Sequence, residues 1–248
     1  MIDSHAHLTS SDLYGQVEDI IARTDKLKNI VNIATDMDSL LKGIELKKKH
    51  PKIFNTCATT PHDVKGNWVK PDELAPFQND LVAIGETGLD YFYEHSPKDL
   101  QKEVFITYLE LAKKWNKPVV IHCRDAFRDL FEIMDKHFSG GRAILHCFTG
   151  TLDEANEGMK RGYLISFSGI VTFKKSVELQ TVAKEVPLNS MLIETDCPYL
   201  APQPFRGQKN EPMFLEATCA FLSQLKEISF EEMESQTALN AENIFGFH

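Results

Sequence analysis

Short apolar runs recur along the chain at a regular spacing. Seven of them are rich in β-branched residues and lie within the segments NIVNIAT, KIFNTCATT, DLVAIGE, KPVVIHC, RAILHCF, YLISFS and SMLIETD. Runs of this kind are typical of strands that are buried on both faces of a parallel sheet. An eighth strand is predicted at the amino terminus, in the segment MIDSHAHL.

Amphipathic helical patterns separate the apolar runs. In SPKDLQKEVFITYLELAKKWN, apolar residues recur at steps of three and four, which indicates a helix that buries one face. We expect Ser96 to cap this helix and Pro97 to occupy its first turn. In the carboxy-terminal pattern SFEEMESQTALNAENIF, Ser229 and Glu232 have the spacing of a capping box.

The predicted strands end at eight positions that are 27 residues apart on average: His7, Thr35, Thr60, Glu86, His122, His146, Ser168 and Asp196. Eight strand-plus-helix units in about 250 residues match the size of a (β/α)8 TIM barrel. A doubly wound open sheet is the alternative, but the first predicted strand lacks the glycine-rich loop of nucleotide-binding sheets. We therefore predict a single α/β barrel domain over residues 1–248.

Composition is that of an ordinary globular protein and narrows the range of partners. Hydrophobic residues make up 42% and charged residues 25% of the chain, and five cysteines lack paired spacing, which indicates reduced thiols in the cytoplasm. No apolar run approaches the ~20 residues of a membrane span. The net charge of −9 argues against a protein that coats nucleic acid, unless divalent cations supply positive charge locally. We expect no membrane contact and no obligate protein partner.

Potential metal ligands are concentrated at the predicted strand ends. Simple alternation along the first strand puts His5 and His7 on one face, together with Asp3. Because the active site of a β/α barrel lies at the carboxyl ends of its strands, these histidines should meet the residues that end four later strands. Those residues are Glu86, His122, His146 and Asp196. Six such side chains at one mouth favour a metal site over isolated polar groups at loop starts.

Six nitrogen and oxygen ligands exceed what one tetrahedral ion can use while it keeps a coordination position open. We predict two divalent ions, with Glu86 as the bridge because a carboxylate has two oxygens. The first ion would be held by His5, His7 and Asp196, and the second by His122 and His146. Two ions about 3.5–4 Å apart can bridge a hydroxide and clamp the oxygens of a phosphoryl displacement. Glu86 and Asp196 are therefore the candidate catalytic carboxylates.

Three cysteines test this arrangement, because each directly follows a proposed ligand: Cys123, Cys147 and Cys197. If the ligands face the mouth, alternation turns the thiols outward against the helices. A structural zinc site built on cysteines would reverse all three pairs and would leave His5, His7 and Glu86 without a role.

Further candidates surround the predicted mouth. Glu194 lies one layer deeper than Asp196 and is expected to orient a ligand, or to pair with a basic residue in the core. Candidate substrate contacts are His62, Asp90, Arg124 and, in the loop PYLAPQPFRGQKNEP, Arg206 with Lys209 and Asn210. Arg124 can bind a phosphate through two hydrogen bonds. The alternative for these residues is an ordinary solvated loop. The cluster Tyr91, Phe92 and Tyr93 can stack on bases or pack helices onto the barrel.

The ordered motifs of the chain resemble those of the TatD family of metal-dependent hydrolases. The matching segments are IDSHAHL, AIGETGLDYFY, KPVVIHCRDA, ILHCFTG, LIETDCPYLAP, RGQKNEP and NAENIFG, and they span nearly the whole chain. The resemblance implies a TIM barrel of the metallo-dependent hydrolase type, two or three divalent ions and deoxyribonuclease activity, often as a 3′→5′ exonuclease on single strands. It implies the same six metal ligands, and it favours roles for Asp90, Arg124 and Glu194.

Two departures from the family pattern bear on specificity. Thr9 stands where an acid or amide commonly follows H-x-H-L, and Ala58 and Thr60 replace the glycine and histidine of G-x-H-P. The competing functions are cleavage of an ester or amide, such as a mischarged aminoacyl-tRNA, and metal binding without catalysis. Glu86 favours the nuclease, since related amidohydrolases often carry a modified lysine there. DNA, or RNA, is the expected substrate, and the ligands suit zinc, manganese, cobalt, nickel or magnesium.

Overall fold

Eight parallel strands form the centre of the molecule. The computed structural model describes residues 1–247, and each strand pairs with the next one along the chain. The strands are β1 (Ile2–Ala6), β2 (Asn29–Ala34), β3 (Ile53–Cys57), β4 (Leu81–Asp90), β5 (Val119–Arg124), β6 (Ala143–Leu145), β7 (Leu164–Phe167) and β8 (Met191–Ile193). Backbone bonds also join the first strand to the segment after the last, since the Asp196 N–H donates to the His5 carbonyl at 2.9 Å. The predicted TIM barrel is confirmed.

Helices cover the outside of the barrel. They are α1 (Val17–Ala22), α2 (Met37–Lys49), α3 (Pro71–Leu74), α4 (Lys98–Trp115), α5 (Phe127–His137), α6 (Leu152–Lys160), α7 (Val177–Glu185), α8 (Leu215–Leu225) and α9 (Phe230–Phe245). Seven of the eight predicted strand ends fall within three residues of the observed ends, whereas β4 continues four residues beyond Glu86 to Asp90. Within residues 1–247, no helix has the length and apolar character needed to cross a membrane.

The last helix closes the amino-terminal end of the barrel. Apolar side chains inside the barrel form a cluster with residues of α9: Ile2, Val31, Ile33, Ala83, Val120, Ile144, Leu192, Ala241, Ile244 and Phe245. Helix α9 begins where the sequence predicts, because the Ser229 Oγ accepts the Glu232 N–H at 3.0 Å. Burial of a large apolar side chain contributes about 1.5–3 kcal/mol to stability. These contacts hold α9 against one end of the barrel, and the polar residues lie at the other end.

The cap predicted for α4 is wrong by one residue. Pro97 occupies the N-cap position and Lys98 is the first helical residue, with no side-chain cap. The Ser96 hydroxyl is occupied elsewhere, since it donates to the His62 carbonyl at 2.8 Å and accepts the Lys65 N–H at 3.1 Å. Ser96 therefore joins the loop after β3 to the loop after β4 instead of capping the helix.

The first strand departs from simple alternation at a bulge. Asp3 and Ala6 are three residues apart, while their partners on β2 are two residues apart, so one residue of β1 is extra. The Asp3 carboxylate accepts the N–H and the hydroxyl of Thr195 at 2.9 and 2.6 Å. The prediction that Asp3 shares a face with His5 and His7 is wrong, because the bulge shifts the alternation between them.

Candidate metal centre

The predicted ligands from the first and last strands meet at the carboxyl-terminal mouth of the barrel. The Nε2 atoms of His5 and His7 lie 3.2 Å apart. Asp196 Oδ1 lies 3.5 Å from each of these two nitrogens. The three residues form a compact group of donor atoms that could hold a metal ion, and the backbone bonds that close the barrel hold them side by side.

Glu86 stands between two pairs of histidines. Its Oε2 lies 3.4 Å from His5 Nε2 and 3.7 Å from His7 Nε2. Its Oε1 lies 3.2 Å from His122 Nδ1 and 3.0 Å from His146 Nε2. The two oxygens of one carboxylate are thus divided between two groups of imidazoles, as bridging of two ions requires.

The chemistry of these donors fits divalent cations. His5, Glu86, His146 and Asp196 are buried, and buried charged groups are normally paired or coordinate a metal. The Nε2 atoms of His5 and His7 face each other and two carboxylate oxygens, and one proton between any two of these atoms leaves the others unsatisfied. A cation at this point would satisfy all of them together.

Burial and neighbouring groups also shift the ionisation of the cluster. Burial alone would raise the pKa of Glu86, but the imidazoles of His146, His122 and His5 hold that pKa well below its usual range. Burial, reinforced by the charge of His146, lowers the pKa of His5 to about 4. Although burial opposes it, the neighbouring carboxylates raise the pKa of His7, His122 and His146. A metal ion that binds here would therefore displace protons from these imidazoles.

A third group of donors lies beside the first two. Asp90 Oδ2 lies 2.8 Å from His122 Nε2 and 3.6 Å from His62 Nε2. Burial would raise the pKa of Asp90, yet hydrogen bonds from His122 and the Tyr93 N–H lower it to about 2. His62 and Asp90, which the sequence suggests as substrate contacts, thus form with His122 a further set of potential metal ligands.

Glu194 lies beneath the cluster and is fully buried. Its Oε1 accepts the Cys147 N–H and its Oε2 accepts the Ser166 hydroxyl, both at 2.6 Å. Oε1 also lies 3.4 Å from His146 Nδ1, although this nitrogen is too poorly aligned to count as hydrogen-bonded. The carboxylate is positioned to orient the His146 ring.

The expectation that three thiols turn outward is met by two of them. Cys123 and Cys197 are buried in the layer between strands and helices. Cys147 differs, because its backbone is left-handed with a φ of 42°, which interrupts the alternation. Its Sγ lies 3.2 Å from Ser168 Oγ, and burial together with nearby carboxylates raises the pKa of the thiol well above its usual value.

Arg124 stacks on the aromatic residues of the loop after β4. Its Cζ lies 3.8 Å from the centroid of the Phe92 ring and 4.7 Å from that of Tyr93. Both rings are about half exposed, at 55% and 51%. Tyr91 is held elsewhere, since its hydroxyl donates to Asp129 at 2.8 Å. The loop after β4 and the end of β5 therefore present two rings and a guanidinium at the mouth.

Arg206 and Asn210 lie in the loop after β8 but have different surroundings. The Arg206 guanidinium is exposed and lies 3.8 Å from the centroid of the Phe173 ring. Asn210 is fully buried, and its Nδ2 donates to the carbonyls of Thr195 and Tyr199 at 2.7 and 2.6 Å. The expectation that Asn210 lies at the rim is wrong, because its amide anchors the loop backbone.

The residues that depart from the family pattern are buried near the mouth. Thr9 Oγ1 donates to Asn32 at 3.5 Å, and Thr60 Oγ1 donates to Asp63 at 3.0 Å. Ala58 is fully buried. None of the three belongs to the donor groups found among the described residues.

Sequence reasoning assigned no role to Ser166 or Tyr199. Ser166 donates to Glu194 Oε2 at 2.6 Å, and its register partner on β8 is Leu192, two residues before Glu194. That register, had it been known, would have identified the serine. Tyr199 lies 6.1 Å from His7, measured between ring centroids. A tyrosine in a loop carries no sequence signal of this proximity.

Comparison with known proteins decides the family. The sequence profile described as TatD related DNase matches residues 2–246. The chain belongs to the TatD family. Among TatD relatives, YabD of Bacillus subtilis (strain 168), named an uncharacterized metal-dependent hydrolase, is 39% identical over 99% of this chain and 98% of its own. YcfH of Escherichia coli (strain K12), with the same description, is 34% identical over 99% of this chain and 95% of its own.

Solved structures of TatD proteins share the architecture. YJJV, a TatD homolog from Escherichia coli K12, matches with a TM-score of 0.92 at 25% identity, covering 99% of this chain and 98% of that one. A TatD family hydrolase from Entamoeba histolytica matches with a TM-score of 0.89 at 24% identity, covering 98% and 97%. The family predicted from the motifs is confirmed, and this TatD protein is a metal-dependent hydrolase.

Proposed function

We propose that this TatD hydrolase cleaves phosphodiester bonds of DNA and removes nucleotides from the 3′ end of single strands. The family description as a DNase supports the substrate class. The observation that carries the proposal is the position of Glu86, whose two oxygens face two different histidine pairs at 3.0–3.7 Å. A carboxylate shared in this way suits two ions on one phosphate.

Each ion would be held by its own group of ligands. One ion would be held by His5, His7 and Asp196, the other by His122 and His146, with Glu86 common to both. When bound, the ions supply an activated water and neutralise the charge that develops on the phosphate oxygens. The group of His62, Asp90 and His122 offers an alternative ion site, which would use His122 Nε2 in place of the Nδ1 that faces Glu86. Nitrogen and oxygen ligands of this kind suit zinc, manganese, cobalt, nickel or magnesium.

Other residues of the chain orient the ligands and hold the substrate. Asp90 is hydrogen-bonded to His122 and keeps the other nitrogen of that ring directed at Glu86. Glu194 lies 3.4 Å from His146 Nδ1, where it can orient the His146 ring. Arg124 keeps its planar guanidinium against Phe92, and this stacking leaves its N–H groups available for a phosphate oxygen. Binding of the flanking phosphate by Arg124 would position the scissile bond over the metal ligands.

Digestion of labelled single-stranded DNA tests the proposal. We expect a 5′-labelled strand to shorten stepwise and a 3′-labelled strand to release its label first, in magnesium or manganese. Chelator and the substitution His122→Ala should abolish both signals. A labelled RNA strand of the same sequence measures the preference for deoxyribose. Absence of cleavage by protein that carries two equivalents of metal would refute the phosphodiesterase, and aminoacyl esters would then be the substrates to test.

A further inference from the structure

Two loops at the mouth form a continuous surface beside the metal ligands. The first spans residues 169–176 after β7, and the second spans residues 197–210 after β8. The backbone N–H of Gln203 donates to Thr172 Oγ1 at 2.9 Å. A side-chain acceptor on one loop thus binds the backbone of the other, and the two loops are held together.

The two loops also pack closely against each other through their backbones. A Cβ on Gly169 would lie 2.1 Å from the Leu200 carbonyl oxygen, so only glycine permits the observed approach of the loops. The Phe205 ring stacks on Phe214, with centroids 4.0 Å apart and an interplanar angle of 4°. The second loop is therefore packed on the Phe214 ring, which holds its exposed residues in place.

This surface carries three exposed cations without acidic partners. Arg206 stacks on Phe173, and the next two residues are the exposed Lys174 and Lys175. Ion pairs within residues 1–247 engage twelve of the 27 lysines and arginines, and none of these three is among them. In a chain with a net charge of −9, a cluster of unpaired cations creates a local positive potential.

Tyr199 belongs to the second loop and lies beside the metal ligands. Its ring lies 6.1 Å from that of His7 and is 53% exposed. Its backbone carbonyl is anchored by the buried Asn210 amide at 2.6 Å. An exposed aromatic ring on an anchored backbone is a platform on which a nucleobase can stack.

We propose that this rim surface binds the single strand at nucleotides remote from the bond that is cleaved. It comprises Phe173, Lys174, Lys175, Tyr199 and Arg206. The proposal rests on the proposed function, because a polynucleotide presents several phosphates in a row beyond the metal ligands. Aromatic rings interleaved with cations are the pattern of surfaces that bind single strands without sequence preference. The rim surface therefore raises affinity for long strands and leaves the reacting phosphate untouched.

Substrates of different length distinguish binding at the rim surface from the reaction at the metal ligands. We compare the parental enzyme with the double variant Lys174→Ala/Lys175→Ala on a small phosphodiester, bis(4-nitrophenyl) phosphate, and on a fluorescent single strand of about twenty nucleotides. Turnover of the small diester should be unchanged, which also shows that the variant is folded. The strand should bind about three- to tenfold more weakly at low salt, and the salt dependence of log Kd should fall by about 1.4, since each phosphate contact contributes roughly 0.7.

A matched control removes the same charge from the opposite end of the barrel. Lys113 and Lys114 are adjacent, exposed lysines near the end of α4, and Lys113→Ala/Lys114→Ala should bind the strand like the parental enzyme. Tyr199→Leu should weaken binding of a normal strand more than binding of an abasic strand, because only the former has bases to stack.

The outcomes distinguish the two proposals. Parental affinity and salt dependence in the Lys174→Ala/Lys175→Ala variant would overturn the rim surface, and so would an equal loss in the control double variant. If the parental enzyme cleaves neither the small diester nor the strand, the proposed function fails instead. If the parental enzyme binds the strand without cleaving it, and Lys174→Ala/Lys175→Ala binds it more weakly with a lower salt dependence, the rim surface is supported while the proposed function fails.

Discussion

Asp90 Oδ2 lies 2.8 Å from His122 Nε2, on the opposite side of the imidazole ring from the nitrogen that faces Glu86. When Nε2 carries the proton and donates it to Asp90, the lone pair of Nδ1 is directed at the shared carboxylate, 3.2 Å away. Asp90 thereby selects the tautomer of His122. The Nδ1 lone pair and the Glu86 carboxylate then face each other as two acceptors, which a cation between them would satisfy. The pair connects the end of β4 to the candidate metal ligands.

Substitution of Asp90 should weaken the metal site without removing a ligand of the two-ion arrangement. We expect Asp90→Asn to lower metal affinity or turnover by about 10- to 100-fold, because ligand orientation is lost. Titration calorimetry with zinc or manganese measures this change. Asp63→Asn, an exposed acid on the neighbouring loop, is the control and should bind metal normally. Loss of a whole equivalent of bound metal in Asp90→Asn would identify Asp90 as a metal ligand.

Removal of the shared carboxylate should be far more damaging. Glu86→Ala takes both oxygens from between the histidine pairs, so we expect activity to fall by several orders of magnitude. The measurement is kcat on a labelled strand with metal content determined in the same sample. Glu94→Ala, which removes an exposed acid paired with Lys98 at the mouth, should retain activity. A metal-loaded Glu86→Ala enzyme with near-parental turnover would refute the two-ion arrangement.

Ser166 should matter for stability through the buried carboxylate that it supports. Ser166→Ala leaves Glu194 Oε2 without its 2.6 Å donor, and an unsatisfied buried polar group costs about 1–3 kcal/mol. We expect the free energy of unfolding in urea to fall by this amount and kcat to fall with it, because His146 loses its support. Ser190→Ala, whose hydroxyl bonds only an exposed neighbouring side chain, provides the comparison. Unchanged stability would mean that Glu194 is satisfied without the serine.

Four of the six candidate ligands, Glu86, His122, His146 and Asp196, could be predicted to meet because each follows a buried apolar run. His146 directly follows β6, and Asp196 comes shortly after β8, so the closure of a barrel is enough to bring them together. The same reasoning predicted a structural role for Cys123 and Cys197, whose neighbours face the mouth. Regular strands therefore carry their functional residues to predictable places.

Irregular backbone is what the sequence could not reveal. The bulge in β1 separates Asp3 from the histidines that follow it, and the left-handed conformation of Cys147 turns its side chain away from simple alternation. Such conformations are uncommon outside glycine and have no reliable sequence signature. The continuation of β4 to Asp90 likewise depends on pairing with β5, which local propensity does not encode.

Gly43 provides a test of packing far from the chemistry. It lies inside α2, where alanine normally stabilises a helix by about 1 kcal/mol relative to glycine. Here a Cβ would lie 2.2 Å from Asn55 Oδ1 and 2.6 Å from Asn32 Nδ2, two amides that are buried and hydrogen-bonded to each other at 2.9 Å. Either the helix must move away from the sheet or the hydrogen bond between the Asn32 and Asn55 amides must break, and overpacking of this kind costs about 1–3 kcal/mol.

The clash should therefore outweigh the gain in helix propensity, so that replacing this helical glycine by alanine destabilises the protein instead of stabilising it. We expect Gly43→Ala to lower the free energy of unfolding in urea by about 1–2 kcal/mol. Gly15→Ala adds the same methyl group where nothing lies within 4 Å, and its effect should stay within about 0.5 kcal/mol. If Gly43→Ala is as stable as the parental protein, the Asn32 and Asn55 side chains can rearrange without loss, and the tight packing of α2 on β2 and β3 does not contribute to stability as argued.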